Sequence, residues 1–95
     1  MELIHIGPSD SPGKKMVAKF KLPSGRTKTT HFGAKGMEDY TTHGDDNRKN
    51  RYLARHISNE KWNDPTTAGA LSRWILWNKK SKEASIADFK RRFNL

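Results

Sequence analysis

The segment that most constrains the fold holds all three tryptophans of the chain, Trp62, Trp74 and Trp77. Residues 74–77 (WILW) are four large apolar residues in a row. A surface helix of a small protein needs one apolar stripe, whereas four consecutive apolar residues point in nearly every direction around the helix axis. We therefore expect this segment either to be packed on several sides by its own domain or to present spare hydrophobic surface to a partner.

A helix start signal precedes this run. Asp64 is the expected N-cap and Pro65 the first helical residue, because a proline there loses no hydrogen bond that the helix needs. The pattern predicts a central helix over residues 65–78. Tryptophans can also stack on unpaired bases, but in a small domain they more often belong to the core. The residues assigned to the core or to a protein contact are Trp62, Leu71, Trp74, Ile75, Leu76 and Trp77.

The first third of the chain predicts an antiparallel β-hairpin or three-stranded meander over residues 1–33. Strands are expected at residues 3–6, 15–22 and 26–32, separated by turns rich in proline and glycine. Residues 33–36 (GAKG) are expected to break the last strand. The middle strand alternates in polarity, which is typical of a half-buried strand. Its buried face is Met16, Ala18, Phe20 and Leu22, and its wet, basic face is Lys15, Val17, Lys19 and Lys21.

Two more helices complete an α+β fold, a single domain over residues 1–95 with three helices after the strands. Asp45 and Asp46 begin a helix predicted over residues 45–57, where carboxylates cap the first turn and complement the helix dipole. Tyr52, Leu53, His56 and Ile57 form its apolar edge. Ser81 caps a last helix over residues 82–93. Residues 37–43 fit either an extended segment or a single helical turn.

Composition narrows the class of protein. The chain has no cysteine, which excludes disulfides and thiolate metal sites. No apolar run reaches the length of a bilayer span and the N-terminus lacks the layout of a signal peptide, so we expect neither membrane insertion nor secretion by that route.

The net charge is +9, distributed as +5 over residues 1–35, −1 over residues 36–64 and +5 over residues 65–95. This layout favours polyanionic partners.

Basic side chains are the best candidates for a functional surface. Arg48, Arg51 and Arg55 recur at helical spacing, and lysines and an arginine lie on the predicted hairpin. Phosphate contacts need only point charges at loose spacing. The alternative is a solvated helix face paired with acidic neighbours. The full set assigned to nucleic-acid or acidic-partner contact is Lys15, Lys19, Lys21, Arg26, Lys28, Arg48, Arg51, Arg55, Lys90, Arg91 and Arg92.

No convincing enzyme or metal site is visible. His43, Asn47 and His56 are similar to the histidine–asparagine–histidine arrangement of a class of metal-dependent nucleases, but a motif this short is easily met by chance. Glu38, Asp39, Asp45 and Asp46 are of a type that binds divalent cations, yet capping and ion pairing explain the last two more simply. We predict no catalytic residues, no cofactor and no metal.

Several runs together resemble a family of small basic proteins of nucleocytoplasmic large DNA viruses, which include algal viruses and relatives of the mimiviruses. The runs are HFGAKGMEDYT (residues 31–41), RKNRYLARH (48–56), NEKW (59–62), DPTTAG (64–69) and LWNK (76–79). The resemblance covers about residues 14–93. It implies a viral setting, including a place in the virus particle, and it brings no catalytic residues to carry over.

These observations give a leading hypothesis and an alternative. The leading hypothesis is a non-enzymatic structural or interaction protein of a large DNA virus, virion-associated as a minor capsid component, whose partners are viral structural proteins. Its location would be the virion or the interior of the infected host cell. The alternative is a sequence-independent DNA- or RNA-binding protein that acts through phosphate contacts. A metal-dependent nuclease that uses His43 and His56 is the third hypothesis.

Overall fold

The computed structural model describes residues 1–95 and confirms the predicted α+β class. Three strands come first: β1 (Glu2–Pro8), β2 (Lys14–Lys21) and β3 (Thr27–Ala34). Four helices follow: α1 (Tyr40–His43), α2 (Asp46–His56), α3 (Ala68–Leu71) and α4 (Lys82–Arg92). A π-helical turn (Ser72–Leu76) continues α3 directly. None of these helices combines the length and the apolarity that crossing a bilayer requires.

The strands form one antiparallel sheet in the order β1-β2-β3, which is the predicted meander. Met16 pairs with Phe32, and Ala18 pairs with Ile6 on one side and Thr30 on the other. Because side chains alternate across a strand, this register places Met16, Ala18, Phe20 and Phe32 on one face. Side chains from the helical half of the chain cover that face. The resulting core is Met16, Ala18, Phe20, Phe32, Leu71, Ile75, Leu76 and Phe89.

The sheet departs from the prediction at three positions. Val17, expected on the wet face, is 7% exposed. It lies on the central strand opposite Gly7 and His31, in a depression that His5 and His31 also line, so side chains from the edge strands cover it. Lys15, also expected on the wet face, turns inward to pair with a buried carboxylate.

The third departure is that β3 continues through Gly33, where a break was predicted. Gly33 has φ +78°, a conformation that glycine adopts at no steric cost. A Cβ at this position would lie 2.7 Å from Cδ1 of Leu76. The glycine therefore lets the sheet approach the π-turn closely instead of ending the strand.

The helices predicted over residues 45–57 and 82–93 are confirmed as α2 and α4, and their ends differ from the prediction by at most one residue. The structure has one further helical turn, α1. The Asp45 side chain caps α2 by accepting from the backbone N–H groups of Asn47 at 2.9 Å and Arg48 at 3.2 Å. The Ser81 hydroxyl caps α4 through the N–H of Ala84 at 3.0 Å. The ambiguous segment before α2 is the single helical turn α1, so the fold has more helical segments than the three predicted.

The predicted helix over residues 65–78 is wrong at its start, in its geometry and at its end. Asp64 Oδ1 instead closes a turn by accepting from the backbone N–H of Thr66 at 3.0 Å and its hydroxyl at 2.8 Å. Thr67 is the actual N-cap, and the helix begins at Ala68. After Leu71 the backbone widens into the π-turn and the helix ends before Trp77. The wider turn directs Ile75 and Leu76 into the core, while Trp74 and Trp77 are partly buried and pack against it.

Candidate functional site

One face of α2 carries three arginines that border a depression. Arg48, Arg51 and Arg55 fall on one side because residues spaced i, i+3 and i+7 share a helix face. We call these three the arginine face. Together with Met37, Glu38 and Trp77 they line a depression of about 260 Å³. The Asp45 cap determines where α2 starts and therefore which way its arginines point.

The arginine face has little internal compensation for its charge. Arg48 Nη1 lies 3.6 Å from Glu38 Oε1, and both side chains are exposed, so this pair contributes little to stability. Arg51 and Arg55 take part in none of the ion pairs of the chain. Two guanidinium groups are thus presented at the surface without an opposite charge bound to them.

The adjoining side of α2 packs against the rest of the protein through stacked aromatic rings. The Tyr52 ring stacks on Trp77 with centroids 4.2 Å apart and planes 5° from parallel, and His56 stacks on Tyr52, also at 4.2 Å. Lys49 Nζ donates to the carbonyl oxygen of Asn78 at 2.7 Å. Desolvation by burial is the main cause that lowers the pKa of Lys49, and burial likewise raises the pKa of Tyr52. These contacts hold α2 in place.

A second cavity, of about 350 Å³, adjoins the depression. We call it the inner cavity; its walls include Lys15, Tyr52, His56, Ser72, Leu76 and Trp77. Met37, Glu38, Arg55 and Trp77 border both spaces, so the two are neighbours.

An ion pair is built into the wall of the inner cavity. Lys15 Nζ donates to Asp39 Oδ2 at 2.6 Å, and Asp39 is 2% exposed. Asp39 also accepts from the backbone N–H of Thr41 at 2.9 Å, which caps α1. The Lys15 ammonium therefore balances the charge of the Asp39 carboxylate. An ammonium carries three hydrogens, so two of them remain for other acceptors.

The structure divides the basic residues predicted to act together. Some are bound to other groups of the protein: Lys15 to Asp39, and the exposed Lys28 to the Thr66 hydroxyl at 3.1 Å. Arg91 and Arg92 lie 3.4 and 3.5 Å from the Asp88 carboxylate. The exposed remainder on the hairpin and α4 is Lys19, Lys21, Arg26 and Lys90. Only the arginine face is gathered around a cavity.

The three tryptophans are partly buried, and none is fully exposed. Trp74 lies under two guanidinium groups, Arg92 at 3.8 Å and Arg73 at 4.2 Å from the ring centroid. Its Nε1 donates to the carbonyl oxygen of Trp62 at 2.8 Å. The exposed large apolar residues are Met1, Ile4, Met37 and Ile57, and none of the tryptophans is among them. Of the three tryptophans, Trp77 borders the two cavities beside α2, whereas Trp62 and Trp74 line neither.

The histidines predicted for a nuclease site are kept apart by the aromatic stack. Four rings follow one another in the order His43, Trp77, Tyr52, His56. His56 pairs with Glu60 through Nδ1, and Nδ1 of His43 accepts from the backbone N–H of Asp45 at 2.9 Å. No group of three or more histidine, aspartate or glutamate side chains is arranged to hold a metal ion.

The sequence predicts the arginine spacing and also names Lys15, Leu76 and Trp77, but other residues of the site have no sequence signal. Met37 and Ser72 are single residues in a loop and in a helix, with no periodic signal of their own. Met37 is an isolated large apolar residue in a polar segment, 66% exposed, which is the one local hint. Glu38 was considered only as a metal ligand. These side chains meet because of the tertiary fold.

A profile of a family of unknown function, DUF5754, matches residues 4–56, which is more than half of the chain. The chain belongs to this family. No curated protein and no solved structure matches it. The matched region contains nearly the whole sheet, α1 and α2 with the arginine face. The π-turn and α4, which complete the core and one wall of the inner cavity, lie outside the match.

Proposed function

We propose that the protein is a non-enzymatic nucleic-acid-binding protein whose arginine face contacts backbone phosphates. The observation that carries the proposal is the presence of Arg51 and Arg55, both without an ion-pair partner, on a helix that stacked rings hold in place. Guanidinium groups bind phosphate oxygens through paired hydrogen bonds, which suits this role. Preorganised side chains lose less conformational freedom on binding than mobile ones.

Overall charge supports the same partner. The net charge of +9 attracts a polyanion over long distances and speeds association. The exposed residues Lys19, Lys21 and Arg26 on the hairpin add charge outside the arginine face. Contacts of this type read no sequence, so we expect similar affinity for oligonucleotides of different sequence.

The test is binding of a fluorescently labelled oligonucleotide, measured by anisotropy at about 100 mM salt. The double variant Arg51→Gln, Arg55→Gln should bind about tenfold more weakly, because two phosphate contacts are lost. The matched control is Lys61→Gln, Lys82→Gln, which removes the same charge from exposed positions outside both cavities. Equal losses in the two double variants would mean that only overall charge matters. No binding by the unmodified protein would overturn the proposal.

The setting that we propose is a large DNA virus, with the protein carried in the particle. This part is supported by the resemblance of residues 31–41, 48–56 and 64–69 to small basic proteins of such viruses. Mass spectrometry of purified virions tests it. Detection at stoichiometric levels is the expected result, and absence from the particle would contradict virion association while leaving nucleic-acid binding open to its own test.

A structural role against an acidic protein surface is the second candidate. The observation that favours it is the exposure of Met37 (66%) beside the arginine face and of Ile57 (63%) after α2. Apolar side chains next to unpaired arginines are common in protein interfaces. Ile57 lines neither cavity, so Ile57→Ser should weaken capture of a virion partner but should change oligonucleotide binding little, which separates this candidate from the first.

A further inference from the structure

The inner cavity has a volume suited to a small ligand group. Its volume of about 350 Å³ is near the lower end of the range for small-molecule sites, roughly 300 to 1,000 Å³. A duplex or a folded peptide element does not fit such a space. Tyr52, Leu76 and Trp77 supply aromatic and aliphatic wall surface.

The π-turn explains how one short segment supplies several wall residues. Its wide turn is closed by the backbone N–H of Trp77 donating to the carbonyl oxygen of Ser72 at 3.0 Å. A π-turn holds more residues than an α-helical turn, so Ser72, Leu76 and Trp77 come to the same side. All three line the inner cavity. Such turns occur frequently at functional sites.

Polar groups with spare hydrogen-bonding capacity also face this space. Lys15 uses one hydrogen for Asp39 and keeps two. His56 pairs with Glu60 through Nδ1, which leaves Nε2 for another partner. The Ser72 side chain lies on the same wall. Apolar walls with a few donors and acceptors match a nucleobase, which has flat faces and a polar edge.

The arginine face lies where the phosphates of such a base would be. Arg55 and Trp77 border both the inner cavity and the arginine-lined depression. We therefore infer that the inner cavity receives an unpaired nucleobase while the arginine face holds the phosphates next to it. The preferred partner is then single-stranded nucleic acid. This inference rests on the proposed nucleic-acid binding. It adds that the same site prefers single-stranded to double-stranded nucleic acid.

Paired bases are excluded from the cavity. In a duplex each base is stacked and hydrogen-bonded, and it reaches a protein pocket only after it leaves the stack. A duplex therefore meets only the arginine face, whereas a single strand reaches both spaces. Because Tyr52 is already stacked between Trp77 and His56, a base in the cavity contacts the apolar wall rather than a free face of Tyr52.

The test compares four probes at one salt concentration: a single-stranded oligonucleotide, an abasic strand of equal length, the corresponding duplex and a mononucleotide. The abasic strand keeps the phosphates and lacks the bases. The intact strand should bind roughly tenfold more tightly than the abasic strand and the duplex, the effect expected when about 60 Å² of apolar surface is buried. The mononucleotide should bind more weakly than the intact strand, because it offers one phosphate site.

A cavity-filling variant locates the effect. Ala34 lines the inner cavity at the end of β3, so Ala34→Leu should reduce binding of the intact strand to the abasic level and leave abasic binding unchanged. The control is Ala87→Leu on the exposed side of α4, which should change neither. Thermal melting of both variants checks that they fold; if Ala34→Leu does not, Ser72→Ala is used, with a smaller loss expected.

The outcomes separate this inference from the proposed function. Equal affinity for intact and abasic strands would overturn the base-binding inference and would leave phosphate binding standing. Mononucleotide binding as tight as that of the oligonucleotide would replace the strand by a free nucleotide as the ligand. No binding of any probe would overturn the proposed function itself.

Discussion

Arginines occur in two surroundings in this molecule, and the surroundings determine whether their guanidinium groups are free to contact a ligand. Arg73 and Arg92 lie over the Trp74 ring, and Arg92 is also 3.5 Å from the Asp88 carboxylate. Arg51 and Arg55 on α2 have no ion-pair partner. The first pair is a structural layer around a tryptophan, while the second is available to a ligand.

The physical difference is desolvation. Burial is the first cause that lowers the pKa of Arg73, followed by the nearby charge of Arg92. Its guanidinium has thus exchanged water for ring faces, and Nη1 donates to the carbonyl oxygen of Trp77 at 2.9 Å. A ligand that used Arg73 would have to break these contacts. A ligand at Arg51 and Arg55 would break no ion pair, so similar side chains differ in their availability to a ligand.

The largest expected effect is on the tryptophan side. Trp74→Ala should lower the free energy of unfolding by about 3 kcal/mol, because a large partly buried ring and the cation–π contacts around it are lost together. Urea denaturation measures the change. Oligonucleotide affinity below the melting temperature should stay within about twofold, since the arginine face remains. A loss under about 1 kcal/mol would show that the layer is not structural.

Asp88 should show a smaller, pH-dependent effect. The hydrogen bond from Asn78, at 2.7 Å, is the main cause that lowers the pKa of Asp88 below its ordinary value of 3.8. A carboxyl group with a lowered folded-state pKa stabilises the protein above its unfolded pKa, and the stabilisation is lost as the pH falls through the folded value. Urea midpoints should therefore drop below about pH 4.

The variant Asp88→Asn isolates this contribution. It should be about 1 kcal/mol less stable at pH 7, because the charged acceptor near two arginines is gone. Its further loss between about pH 5 and pH 2 should be smaller than that of the unmodified protein, since an asparagine side chain does not titrate. Identical acid profiles would show that Asp88 is not one of the groups responsible; Asp45 and Asp64, whose pKa values are also lowered, would then account for the profile.

The smallest expected effect comes from giving the arginine face the partner that it lacks. Asn47→Glu places a carboxylate four residues before Arg51, where helical ion pairs form. Oligonucleotide affinity should fall about threefold, and stability should change by less than about 0.5 kcal/mol. Asn50→Glu adds the same charge on another side of α2 and serves as the control. An equal fall in the control would assign the effect to net charge.

Local signals in the sequence predict the parts of the fold that local contacts create. Alternating polarity predicts β2, and capping side chains predict where α2 and α4 begin, because Asp45 and Ser81 bond to backbone groups only two or three residues away. Asp64 offers the same signal, yet the helix prediction there is wrong. Its side chain bonds to Thr66 in a turn, and the helix begins only after Thr67.

The remaining features depend on contacts between distant residues. The π-turn follows from fitting Ile75 and Leu76 against the sheet while Trp77 reaches Tyr52, and no pattern within residues 72–76 encodes that choice. The inward turn of Lys15 depends on Asp39, which lies 24 positions later. Helical spacing therefore predicts the arginine face, but the inner cavity requires the structure.

The dependence of oligonucleotide affinity on salt tests the central claim most directly. Plotted as the logarithm of the association constant against the logarithm of the salt concentration, the slope for a single strand is about −0.7 for each phosphate neutralised. Loss of Arg51 and Arg55 together should make the slope shallower by about 1.4. An unchanged slope in the Arg51→Gln, Arg55→Gln variant would contradict the assignment of these two arginines to phosphate contacts.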